Sequence, residues 1–165
     1  MKKLFLIRHA KSDWNNATEI QDIDRPLNSR GVKDSYEMAQ RIKCKDIIPD
    51  ILISSIGIRA LHTATIFSRV LEKDEKDIEV LNALYHASEK TITNVIQSID
   101  NDKQIAFVFC HNPGINDFAD YYIDNFIENV PTCGILSFNL QSENWEDWSK
   151  ETVKFEFFDY PKRGK

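Results

Sequence analysis

The chain is poor in cysteine and has no framework for pairing what it has. Cys44, Cys110 and Cys133 form no CxxC pair and no even-numbered set, so free thiols in a reducing compartment are expected. It also lacks any excess of positive charge: 21 Lys and Arg stand against 26 Asp and Glu, a formal net charge of -5. That balance excludes a general nucleic-acid binder, which needs a cationic surplus to displace counterions from phosphates. Any phosphate this chain binds must be bound locally.

Long apolar runs are missing too. The opening MKKLFLIRHA has the basic start of a signal peptide, but Arg8 breaks its apolar stretch after four residues, and no later run approaches membrane-spanning length. A cytoplasmic protein with no membrane partner is the expectation. The four histidines show no HxH, no HExxH and no Cys-His spacing, and arginine beside a cation is electrostatically poor, so no metal is expected. There is no repeat, no low-complexity tract and no convincing linker; EKDEKD at 72–77 reads as a solvated loop. The 165 residues are read as one domain over 1–165, large enough to bury a core without disulfides.

What is present is a regular alternation. Leu4 to Ile7, Ile51 to Ile53 and Ile105 to Phe109 are short continuous apolar runs, the pattern of strands buried on both faces of a parallel sheet. Helical periods lie between them: Val32, Tyr36, Ala39 and Ile42; Ile58, Leu61, Ala64, Phe67 and Val70; Ile92, Val95, Ile96 and Ile99; then Ile115, Phe118, Ala119, Tyr122, Ile123 and Phe126. GILSFNLQ and TVKFEFFDY flank SENWEDWSK and read as an antiparallel hairpin, with Trp145 and Trp148 in its turn, exposed but packing over the hairpin. The expected fold is a layered α/β domain whose mostly parallel sheet is closed on one side by this hairpin. One long unpatterned connection, Lys11 to about Asn28, is of the kind that is disproportionately functional.

Each apolar run ends in polar residues of a particular kind. The first ends in Arg8-His9, the second in Ser54 and Ser55 with Arg59 in the next helical turn, and the third in CHNPG with His111. Open α/β sheets bind ligands beyond the carboxyl ends of their strands, so two arginines and two histidines should meet in one crevice. Arginine keeps its charge, and its planar fork matches phosphate oxygens two at a time. NPG adds a helix start, with Asn112 as N-cap and Pro113 at N1. Neutral imidazole is a competent nucleophile toward phosphorus. His9, beside Arg8, suits in-line attack, and His111 suits charge stabilisation on the transferring oxygens. His62 reads as structural, and His86, after Tyr85, as a residue of the rim.

LIRHAKS, DRPLNSRG, DILISSIGIRALHTA, LYHAS, CHNPG and NVPTCGI stand in the order and rough spacing of the histidine phosphatase superfamily, and the set most resembles its small SixA-type phosphohistidine phosphatase branch. The resemblance covers nearly the whole chain. It implies that His9 is the phosphorylated nucleophile, that Arg8, Arg59 and His111 complete the phosphate pocket, that the fold is three-layered α/β/α and phosphoglycerate mutase-like, and that catalysis needs neither a metal nor an organic cofactor. Arg25 and Ser12 come with it as further substrate contacts. Ala10 and Cys110 stand where the wider family often has glycine.

The general acid is not evident. Glu89, Asp13 and Tyr85 are candidates from the right regions. Lacking such an acid handicaps an alkoxide leaving group by about 10²–10⁴-fold, and a departing imidazole suffers less. This asymmetry, with no insertion long enough for a cap domain, favours a phosphohistidine-bearing protein as substrate. A small phosphorylated metabolite, turned over by a phosphomonoesterase or mutase, is the alternative. A non-catalytic phosphate-binding module is the further one. Oligomeric state is not legible.

Overall fold

The computed structural model describes residues 1–126 and 128–165. Six strands, β1 (Lys2–Arg8), β2 (Ile51–Ser55), β3 (Glu79–Leu81), β4 (Ile105–Cys110), β5 (Ile135–Leu140) and β6 (Val153–Asp159), form one sheet in the order β3-β2-β4-β1-β5-β6. The four on the β3 side run parallel, while β5 is antiparallel to β1 and β6 to β5. The three apolar runs are thus neighbours, and the C-terminal hairpin closes the sheet beyond β1. β3, a short and partly exposed edge strand, has too little apolar pattern to announce itself.

Alternation along β1 and β4 sorts the side chains into two cores. Leu4, Leu6, Ala106, Val108 and Cys110 pack under α3 (Glu89–Gln97) and α4 (Gly114–Tyr122). Phe5, Ile7, Phe107 and Phe109 pack under α1 (Ser29–Lys43) and α2 (Ile58–Val70). Helices on both faces of the sheet give the expected three layers. Among the described residues no helix is long and apolar enough to cross a membrane.

The helices depart from their sequence periods in informative ways. Tyr36 is exposed, and the inward face of α1 is instead Gly31, Ser35, Met38, Ala39 and Ile42. In α2, Ile58 is exposed while Arg59, Ala60, Thr63, Ala64 and Phe67 are buried. The stripe of α2 is turned because its first turns carry Arg59 and Thr63 to the polar residues at the strand ends, whereas α1 sets Gly31 against the Lys11 backbone. α4 stops at Tyr122, short of Ile123 and Phe126. Its N-cap is Pro113, not Asn112, whose side-chain amide donates to Asn129 Oδ1 instead. Trp145 and Trp148 are not exposed but fully buried, in the core with Phe118, Tyr122 and Phe138.

Candidate active site

Because β2, β4 and β1 are parallel neighbours, their carboxyl ends lie side by side, and the residues that follow them meet. The imidazole rings of His9 and His111 have centroids 5.3 Å apart, and both side chains are buried. His9 Nδ1 lies 2.7 Å from Ala10 O. A carbonyl only accepts, so Nδ1 carries the hydrogen and the neutral ring keeps its lone pair on Nε2. The segment is anchored by Ala10 N, which donates to Thr63 Oγ1 at 3.0 Å; Thr63 in turn donates to Arg59 O at 2.7 Å. Thr63, one turn after Arg59, thereby ties the strand end that carries His9 to α2.

His111 Nε2 is 2.7 Å from Ser55 Oγ, at the end of β2. That hydroxyl already accepts from Gly57 N at 3.1 Å, which leaves its proton free to go to Nε2. Gly57 has no room for a side chain, since a Cβ there would stand 2.9 Å from His111 Cε1. Burial pushes the His9 imidazole down to about 3 against the opposing bond to Ala10, and the charges of Arg59, Arg8 and Arg25 add to the fall. Burial likewise takes His111 to about 2, helped by His9 and Arg59. Both rings are neutral at physiological pH.

Three arginines surround them. Arg8 Nη1 donates to Val130 O at 2.8 Å, and burial, reinforced by Arg59, lowers its guanidinium despite the nearby Cys110. Arg59 is buried at the start of α2. Arg25 is buried as well and donates to Ser12 Oγ, while its guanidinium lies 3.7 Å from the ring centre of the exposed Trp14. The long connection that carries Ser12 and Arg25 is pinned at its base by a bridge between Ser12 and Leu27 and contains one short 3-10 turn, Asp22–Asp24. Nε of Arg8, Nε of Arg59 and Nδ1 of His111 are buried with no hydrogen-bond partner among the described residues. Unpartnered buried donors are costly, and three on these residues mark a place for an anion.

The acid candidates fall differently. Tyr85 reaches the site: its ring meets that of His111 edge-on at 5.5 Å, and its hydroxyl donates to Asp22. Asp13 caps its own loop, accepting from Asn15 N at 2.8 Å. Glu89 accepts from Thr93 Oγ1 at 3.2 Å, one turn along α3. The residue the sequence reading passed over is Asp22, which pairs with Arg25 at 2.7 Å and Arg59 at 3.1 Å. Its i,i+3 spacing from Arg25 was the available signal. His86, half exposed, stands 3.4 Å from the same carboxylate.

Burial alone would raise the Asp22 carboxyl, but the bonds from Tyr85 and Arg25 and the charge of Arg59 hold it far below the usual carboxylate range. It is therefore an anion at neutral pH. Tyr85, shifted up by burial and by Asp22, keeps its proton.

A SixA structure from Agrobacterium tumefaciens, assigned as a phosphohistidine phosphatase, superposes on this chain with a TM-score of 0.82 at 22% identity, covering 97% of this chain and 98% of that one. At that identity the likeness is one of fold. An uncharacterized chloroplastic protein of Arabidopsis thaliana is 24% identical over 88% of this chain and 70% of its own. A 2,3-bisphosphoglycerate-dependent phosphoglycerate mutase of Bifidobacterium longum is 35% identical over 39% of this chain, a stretch that spans only 26% of the mutase. The family profile described as histidine phosphatase superfamily, branch 1, matches residues 4–98, more than half of the chain. On that match the chain belongs to the histidine phosphatase superfamily, branch 1, and with it to the phosphatase class of enzymes.

Proposed function

We propose that the protein is a cofactor-independent phosphohistidine phosphatase. The observation that carries this reading is the bond from His9 Nδ1–H to Ala10 O, which leaves Nε2 unprotonated among three arginines. Nε2 attacks phosphorus, the bond from phosphorus to the substrate nitrogen breaks, and the substrate imidazole departs with a proton from solvent or from its own protonated ring. Water then forms a new O–P bond, the bond from phosphorus to His9 breaks, and inorganic phosphate leaves with neutral His9 restored. Arg8, Arg59 and Arg25 neutralise the phosphoryl oxygens. His111, receiving the Ser55 proton at Nε2, offers Nδ1–H to one of them.

The choice of an N–P over an O–P bond follows from the acids. Asp22 is ionised and has no proton to give, and Glu89 and Asp13 are engaged elsewhere. An alkoxide has only the phenol of Tyr85 to draw on, whereas an imidazole needs less help. The exposed Trp14 beside Arg25 also suits a substrate displayed on a protein surface. The A. tumefaciens neighbour's assignment points the same way. Tyr85 is the one feature that favours a small phosphomonoester instead, and Tyr85→Phe would then cost oxygen-ester turnover selectively.

The decisive experiment follows phosphate release from a phosphohistidine-bearing protein in EDTA, wild type against His9→Ala. Release that survives the chelator and disappears in the variant is expected. No release by the wild type, with rapid turnover of sugar phosphates, would overturn the assignment.

A further inference from the structure

The arginine cradle already holds an anion of its own. Asp22 Oδ1 accepts from Arg25 Nη2 at 2.7 Å and Oδ2 from Arg59 Nη2 at 3.1 Å, while the Asp22 main-chain carbonyl accepts from Arg59 Nη1 at 2.7 Å. The Tyr85 hydroxyl donates to Oδ2 as well, and the other arm of Arg25 donates to Ser12 Oγ. Both guanidinium forks are thus engaged from one side by a single loop segment. The donors left without partners, Nε of Arg8, Nε of Arg59 and Nδ1 of His111, are those Asp22 does not reach.

We propose that Asp22 is a built-in competitor of the substrate: it occupies the arginine forks until a doubly charged phosphoryl group displaces it, and this competition decides which oxyanions the site accepts. The proposal rests on the phosphoryl-transfer reading of the same site. A carboxylate brings one charge and two oxygens; a phosphoryl dianion brings two charges and three oxygens. The dianion satisfies both forks and the three leftover donors, so exchange favours it. A singly charged oxyanion offers the forks no more than Asp22 already does, and it must displace a tethered group whose effective concentration is high.

The placement suits exchange. The Asp22 side chain is 44% exposed, whereas those of Arg25 and Arg59 are 7% and 4% exposed. The carboxylate therefore sits on the solvent side of fixed partners. It rides on a three-residue 3-10 turn between the pinned ends of its loop, so it can swing outward without disturbing either core.

The test is calorimetric titration of the full chain at pH 8 with inorganic phosphate and, separately, with methyl sulfate, a singly charged probe. Asp22→Asn is nearly isosteric and keeps an acceptor for the arginines. It should bind phosphate at least about tenfold more tightly than wild type, since it releases two charge-assisted contacts. It should also bind methyl sulfate, which wild type rejects. Tyr85→Phe keeps the charge but removes the latch and should give a smaller gain in the same direction.

Equal or weaker phosphate binding by Asp22→Asn would overturn the proposal and make Asp22 a positioning residue for the arginines. So would phosphate binding by neither chain. If both bind with the expected difference but His9 never becomes phosphorylated by substrate, the competitor stands and the enzymatic reading falls.

Discussion

His9 and His111 are ordinary residues in an unusual setting. In the unfolded chain each titrates near a pKa of roughly 6.5; in the folded chain burial holds them at about 3 and about 2. Between those limits the unfolded state takes up protons that the folded state refuses, so stability is lost as pH falls below about 6.5. The slope is up to about 1.4 kcal/mol per pH unit for each histidine. Urea midpoints should drop from pH 7 to pH 5, and less so in His111→Asn; a chain equally stable at both would contradict the assignment. The His9 ring resonances in a nitrogen-detected spectrum should likewise stay flat from pH 8 to pH 5, and a midpoint near 6.5 would show that the ring is solvated.

At the level of elements, the site depends on a close approach between α1 and the segment after His9. A Cβ on Gly31 would stand 2.1 Å from Lys11 O, two residues beyond His9. The same carbonyl accepts from Asn28 N at 3.0 Å, and Asn28 caps α1 by accepting from Gly31 N at 2.8 Å. Gly31→Ala gains up to about 1 kcal/mol of helix propensity. It must nonetheless push Lys11 away, and overpacking of this kind costs about 1–3 kcal/mol. We expect a lower Tm together with slower phosphorylation of His9; a more stable, fully active variant would show that the contact yields freely.

Across the whole molecule, the two cores do separate work. The site is built over the sheet end between α2 and the β4–α4 connection, while Trp145 and Trp148 sit with Phe118, Tyr122 and Phe138 in the core under α3 and α4. Trp148→Ala should therefore cost about 3–5 kcal/mol of stability and leave kcat of the folded fraction unchanged. Lys2 belongs to the same corner: its fully buried Nζ donates to Asn101 O at 2.7 Å and Lys103 O at 2.9 Å and lies 5.5 Å from the Trp145 ring centre. Lys2→Met leaves at least one carbonyl unpaired and should lower stability by about 1–3 kcal/mol, measurable by denaturant titration. An unchanged midpoint would mean that water replaces the ammonium.

The sequence by itself determined the layers and the neighbourhood of His9. Continuous apolar runs this short, set between helical periods, read as strands buried on both faces, and an arginine-histidine pair directly after such a run then emerges at a strand end. Arg8, His9, Arg59 and His111 were legible for that reason, each tied by chain connectivity to a strand or the turn after it. Tertiary structure alone decided what lay on the loop. Asp22 is one acidic residue among 26 Asp and Glu, and apart from its spacing from Arg25 nothing local separates it from Asp24 or Asp13. Only the pinning of Ser12 to Leu27 swings it onto Arg59, 37 residues away, and onto Tyr85, 63 residues away. The inward face of α2 was decided the same way. Periodicity locates an apolar stripe, but where the neighbour is a polar cradle the stripe turns to present Arg59 and Thr63 to it.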